Sequence, residues 1–217
     1  MPSSRSPRVG IRRGILARIN RSALATPALD NQYQVDINVN GSGERRQLVK
    51  YINENYGVNR RYILDNIGIA CYDAVLPTSS FATAEVKDNF HGINQQFAHT
   101  RLHVDSNFSF YVDDNYNVLK FFEGWMDFIS SGGSSSENDN NYYRRMQYPS
   151  AYKCDGITIT KFDKNVNHSI THQFKNAFPK SMQSIPVKYG TAEILKVTVT
   201  FAYDRYIFIP NKPNFTR

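Results

Sequence analysis

One stretch constrains this chain more than any other: Asp113-Asp114-Asn115-Tyr116-Asn117-Val118-Leu119-Lys120-Phe121-Phe122-Glu123-Gly124-Trp125-Met126-Asp127-Phe128-Ile129. Val118, Leu119, Phe122, Trp125, Met126 and Ile129 recur at three- and four-residue spacing, which places them on one face of a helix. The pattern predicts a principal helix over about 113–131, with those six residues as its core face. Asp113 and Asp114 stand where a carboxylate accepts hydrogen bonds from the orphan amides of a first turn. Gly132-Gly133 offers the left-handed conformation that ends many helices. Gly124 costs about 1 kcal/mol against alanine in a helix interior, so a closely packed neighbour is expected there.

An amphipathic helix needs an apolar surface to lie on, and the flanking sequence supplies strands. Phe108, Phe110 and Val112 alternate with smaller or more polar residues. Tyr33, Val35, Ile37 and Val39 do the same, as do Ile157 and Ile159 between threonines. Leu195, Val197, Val199, Phe201 and Tyr203 alternate with Lys196, Thr198, Thr200 and Ala202, reading as one long strand over 194–208. A strand also reads over 68–76, closed by Pro77. The expectation is a mainly β (α+β) domain with one helix lying across its sheet.

Charge divides the chain. Arg5, Arg8, Arg12, Arg13, Arg18 and Arg21 precede the first acidic residue, Asp30. Without those six, 20 of the 26 basic side chains remain against 19 acidic ones, so the net charge of +7 belongs mostly to an N-terminal arm over 1–29. Ile11, Ile15, Leu16 and Ile19 lie opposite Arg12, Arg13 and Arg18. Packing on a neighbouring subunit, a membrane-surface helix and a phosphate-binding arm all fit that pattern. The near-neutral body over 30–208 has no electrostatic footprint for nucleic acid. No apolar run is long enough to span a bilayer, and no secretory signal is legible. Cys71 and Cys154 lack metal-ligand spacing and read as buried thiols.

Residues 44–66 read as a polar surface insertion with short helices over 45–55 and 59–66. Residues 81–100 read as an extended excursion out of the domain, with a hairpin as one form of it, containing Phe81, Phe90, Ile93 and Phe97 and no partner assignable in the chain. Such exposed edges need cover from another chain, which points to an oligomer. After a Ser/Gly/Asn-rich stretch, Tyr142, Tyr143, Arg144 and Arg145 fit a binding surface or a loop edge equally. Residues 209–217 form a short tail.

Chemistry finds little support. His99 and His103 are four apart, as are His168 and His172, but both pairs fall in strand-like segments where four residues span ~13 Å. His91 stands alone. There is no nucleophile elbow, phosphate-binding loop or dinucleotide fingerprint, and Asp113-Asp114 is explained by a helix cap. No catalytic residues, cofactor or metal site are expected.

The order of these segments resembles the tail tube family of T4-like contractile-tailed bacteriophages (myoviruses), above all the initiators that join baseplate to tube. The pieces that carry the resemblance are Tyr111-Val112-Asp113 leading into Trp125-Met126-Asp127, then Asn176-Ala177-Phe178-Pro179-Lys180, Ile185-Pro186-Val187-Lys188-Tyr189, and Val197 to Tyr203. It implies a β-sandwich or small barrel with one flanking helix and a long extended hairpin. It further implies a homohexameric ring lining a channel for genomic DNA during ejection. Its partners would be the tail tube, the baseplate hub and sheath proteins, with no small-molecule substrate and no stable membrane insertion. The location implied is the virion, after assembly in the bacterial host cytoplasm. Phe81, Phe90, Ile93, Phe97, Tyr142, Tyr143, Arg144 and Arg145 would then be candidate subunit-interface residues, and the six arm arginines candidate baseplate or DNA contacts. The rival readings are a nucleic-acid-binding protein acting through the arm and a baseplate-associated hydrolase.

Overall fold

The computed structural model describes residues 29–39, 45–87, 92–130, 146–163, 169–190 and 192–211. The described strands are β1 (Tyr33–Ile37), β2 (Cys71–Ala74), β3 (Ser79–Val86), β4 (Gln95–His103), β5 (Ser106–Tyr111), β6 (Ile157–Phe162), β7 (Ser169–Lys175), β8 (Phe178–Met182), β9 (Lys196–Ala202) and β10 (Arg205–Asn211). The described helices are α1 (Arg45–Tyr56), α2 (Arg60–Asp65), α3 (Asn117–Ile129) and the single turn α4 (Pro149–Tyr152). One antiparallel sheet has the order β1-β6-β7-β10 and a second β2-β5-β9-β8, while β3 and β4 form a separate pair.

The two four-stranded sheets face each other through aromatic side chains. Phe174 of β7 meets Phe108 of β5 at 5.8 Å between ring centroids and Tyr203 at 4.8 Å. The α3 helix completes this core: Phe122 packs 4.9 Å from Phe110, and Trp125 6.2 Å from Phe201. The Trp125 indole N–H donates to the Tyr152 carbonyl at 3.0 Å, satisfying the one polar atom of a fully buried side chain.

The helix reading is right in its centre and needs correction at its margins. Val118, Phe122 and Trp125 are buried, but so are Phe121 and Phe128, while Leu119, Met126 and Ile129 are only half-buried. The buried face is turned and widened because α1 covers a second side of α3. The helix runs from Asn117, not 113. Asp113 caps it, accepting from the amides of Asn117 at 2.7 Å and Val118 at 3.4 Å, while Asp114 is exposed. The helix ends at Ile129, and Gly132-Gly133 lies outside the described residues.

Residues 44–66 are not a surface insertion. Leu48, Val49, Ile52, Val58 and Ile63 are buried in the same core. Gly124 is where α1 and α3 touch: a Cβ there would lie 2.9 Å from Tyr56 and 3.2 Å from Ile52. Beside it, Tyr51 and Tyr56 donate to the buried Asp127 carboxylate at 2.7 and 3.0 Å. The 194–208 run is also two strands rather than one. The chain leaves the second sheet after Ala202 and enters the first at Arg205, so β9 and β10 lie in different layers. The strand then continues beyond 208 to Asn211.

Candidate assembly interface

The β2 and β5 strands pair near the core, and β3 and β4 continue that hairpin outward beyond Val75–Thr78 and Val104-Asp105. The 81–100 excursion is a hairpin, as one reading of the sequence had it, and its two strands are the partners that the sequence left unassigned. Its ladder runs from Ser79↔His103 to Val86↔Gln95. A register shift between Ala82 and Thr83 breaks the side-chain parity, which explains why alternation is hard to read there.

The pair still lacks what a stable sheet requires. Among the described residues it belongs to no larger sheet, and both its outer edges are without a strand partner there. A two-stranded ribbon without a covered apolar face is marginal in water. Phe81 is 61% exposed, Phe97 54% and Ile93 67%, and Val86, Leu102 and Val104 are also exposed. Phe81, Ile93 and Phe97 are thus brought together on one projecting element. Phe90, Tyr142, Tyr143, Arg144, Arg145 and the arm arginines lie outside the described residues. Sequence reasoning missed Val86 inside the excursion and Leu102 and Val104 just beyond it, although their closeness to it was a usable signal.

The hairpin has a built root. Arg101 of β4 donates through Nε to Ser79 at 2.9 Å and through Nη2 to the Tyr206 hydroxyl at 3.2 Å. Its guanidinium lies 5.4 Å from the Tyr206 ring centroid, adding cation–π attraction to the hydrogen bonds. The Tyr206 phenol is held below its ordinary pKa by its Ser79 hydrogen bond and, against the opposing effect of burial, by Arg101. His103 packs on Tyr203 and Tyr206, and His172 on Tyr206 and Phe208. Burial lowers the pKa of both imidazoles, helped at His103 by Arg101. Among the described residues, the buried Nδ1 atoms of both histidines and the Tyr203 hydroxyl have no hydrogen-bond partner.

These histidines are packing residues, not an evident site of chemistry. His99 is exposed on β4 and its Nδ1 lies 2.7 Å from the Thr100 hydroxyl, whereas His103 is at the strand's inner end. His91 and His168 lie outside the described residues. Among the described residues, no group of three His, Cys, Asp or Glu side chains is arranged to hold a metal, and no helix is long and apolar enough to cross a membrane. Cys71 and Cys154 are buried free thiols, and burial pushes Cys71 up to about 12, leaving almost no reactive thiolate at neutral pH.

Comparisons with known proteins agree with this architecture. In an extracellular contractile injection system, a chain of the PVC sheath-tube complex in its extended state aligns with a TM-score of 0.54 and 16% identity, covering 90% of this chain and 97% of that one. A chain from the anti-feeding prophage cap, the tube terminating cap, gives 0.54 and 16%, with 85% and 92% coverage. A chain from the six-fold symmetrised baseplate of the anti-feeding prophage gives 0.53 and 12%, with 85% and 96% coverage. At such identities the likeness establishes the fold. No curated protein matches the sequence. The family model described as phage tail tube protein matches residues 28–209. That match spans nearly all of the folded body, and the chain belongs to the phage tail tube protein family as a structural tail tube protein.

Proposed function

We propose that this chain forms a homohexameric ring of a tail tube, in which the β3–β4 hairpin of each copy packs against its neighbour and closes a continuous β wall around a channel. The observation that carries this reading is the hairpin itself: a ladder with two open edges and exposed Phe81, Ile93 and Phe97, fastened to the body by Arg101. The ring satisfies those edges without leaving a terminal strand, because a cyclic arrangement closes on itself.

Genomic DNA is the proposed cargo of the channel during ejection. Neutral polar pairs at exposed and half-buried strand positions support this. Thr200 donates to Asn107 at 2.8 Å, and the Thr160 and Thr171 hydroxyls lie 3.1 Å apart. Neutral hydroxyl and amide surfaces lack the cation density that retains a polyanion. Tube, baseplate hub and sheath proteins are the proposed partners, the virion is the proposed location, and the host cytoplasm is the proposed site of assembly.

The proposal extends to a junction ring at the baseplate rather than the repeating tube subunit. A junction needs two unlike faces, and the arginine arm and the 131–145 sequence supply candidates for that asymmetry. Residues 44–66 no longer contribute to that argument, since they belong to the core. Purified chain should stop at rings of six-fold mass by native mass spectrometry and nucleate tubes when a tube protein is added. Long filaments from this chain alone in negative-stain images would instead make it the repeating subunit. Deleting residues 1–21 should abolish baseplate attachment while ring formation persists.

A further inference from the structure

The ring reading leaves open which edge of the neighbouring copy receives the hairpin, and the sheets differ sharply in the edges they offer. The two four-stranded sheets end in β1, β10, β2 and β8. The β1 edge is covered: Gly68 approaches so closely that a Cβ there would lie 2.1 Å from the Val35 carbonyl oxygen. The β2 edge is four residues long, with a register shift between Cys71 and Asp73. The β8 edge contains Pro179, which has no amide to donate, carries a shift between Pro179 and Ser181, and lies alongside α3. Short length, bulges, proline and a covering element are the devices that close an edge to further pairing.

Among the described residues, the β10 edge has none of these over its first five positions. It is seven residues long, pairs with β7 in unbroken register from Arg205↔Lys175 to Asn211↔Ser169, and has proline only at its penultimate position. Ile207, Phe208 and Ile209 are exposed along it, so both faces of the open edge are apolar.

We infer that the free edge of β10 in the neighbouring copy receives β3 of the hairpin, antiparallel, in the register that sets Arg205 opposite Glu85 and Ile209 opposite Phe81. This rests on the ring reading. Charge selects β3 over β4: β3 carries Glu85, whereas β4 carries Arg101 and no acidic residue. In this register Arg205, Ile207 and Ile209 share a face with Glu85, Thr83 and Phe81, giving a cross-strand ion pair at one end and an apolar pair at the other. The shift in the β3–β4 ladder places its extra residue, His99, on β4. The six residues 81–86 therefore remain regular and available to a new partner.

Disulfide trapping in full-length protein tests the register. A mixture of singly substituted Phe81→Cys and Ile209→Cys chains should, once assembled and oxidised, give a covalent dimer containing one chain of each kind. Substituting Gln34→Cys on β1 or Lys180→Cys on β8 for the Ile209→Cys chain should give none. The native thiols do not compete, being buried. As a second readout, Arg205→Glu should lose rings without moving the unfolding midpoint, and Arg205→Glu with Glu85→Arg should regain them. Rings that trap Phe81→Cys against β1 or β8, or against no strand, overturn the β10 assignment while leaving the ring intact. Absence of any six-fold species from the unsubstituted chain overturns the ring reading itself.

Discussion

The β4 and β5 strands are separated only by Val104 and Asp105, yet their phenylalanines end in opposite environments. Phe97 on β4 is 54% exposed, while Phe108 and Phe110 on β5 are fully buried. Composition does not separate them, since both strands are aromatic and flanked by small polar residues. Position does. The β5 strand is paired on both sides, by β2 and β9, and packs against α3, whereas β4 has a single strand partner among the described residues and is exposed from Gln95 to Leu102. Burying a phenylalanine contributes roughly 1.5–3 kcal/mol; the body realises that contribution within one chain and the hairpin does not. On the proposed reading, the body folds alone and the hairpin is completed by another molecule.

Substitutions sharpen that contrast, beginning with the largest effect. Trp125→Ala removes a fully buried indole that touches Phe121 and Phe201, and should cost about 3–5 kcal/mol in chemical denaturation. Removing the Asp127 carboxylate takes away the acceptor of two tyrosine hydroxyls. Asp127→Ala should cost about 1–3 kcal/mol, and Tyr56→Phe should recover part of the same loss in a double-mutant cycle. Gly124→Ala forces a methyl against Tyr56 and Ile52 and should cost about 1–3 kcal/mol, by the usual penalty of overpacking.

The histidines at the hairpin root give a pH prediction with a definite sign. His103 and His172 have pKa values below the ordinary one in the folded state, so the unfolded chain binds protons first as acid is added. Stability is therefore fully present above about pH 6.5 and is lost as the pH falls toward the folded values. His172→Gln should flatten that dependence in unfolding midpoints measured between neutral and mildly acidic pH. At the far end of the scale, Phe97→Ser should shift the midpoint by no more than about 0.5 kcal/mol, as at other exposed sites, while ring yield falls.

Much of the body was legible because its periodicities are clean. Val118, Phe122 and Trp125 announce the α3 face, and Phe108 with Phe110, or Val197 with Val199 and Phe201, announce half-buried strands. What was misread depended on a second element. Phe128 packs on Tyr51 of α1, a helix whose own apolar residues Leu48, Val49, Ile52 and Tyr56 are diluted by Arg, Lys, Asn and Glu. The division between β9 and β10 occurs at Tyr203-Asp204 and is set by a change of sheet, leaving the run of alternating residues nearly continuous. The hairpin was recognisable as an extended excursion in need of cover, but its register was hidden by the extra residue at His99.

A hairpin that is incomplete until a second copy arrives should reveal itself in amide hydrogen exchange. Exchange should be measured at β3 and β4 in the isolated subunit and in the assembled ring, with β5 and β9 as internal references. The hairpin amides should exchange fast in the subunit and be strongly protected in the ring, with little change in β5 and β9. Equal protection of β3 and β4 in both states would contradict that incompleteness.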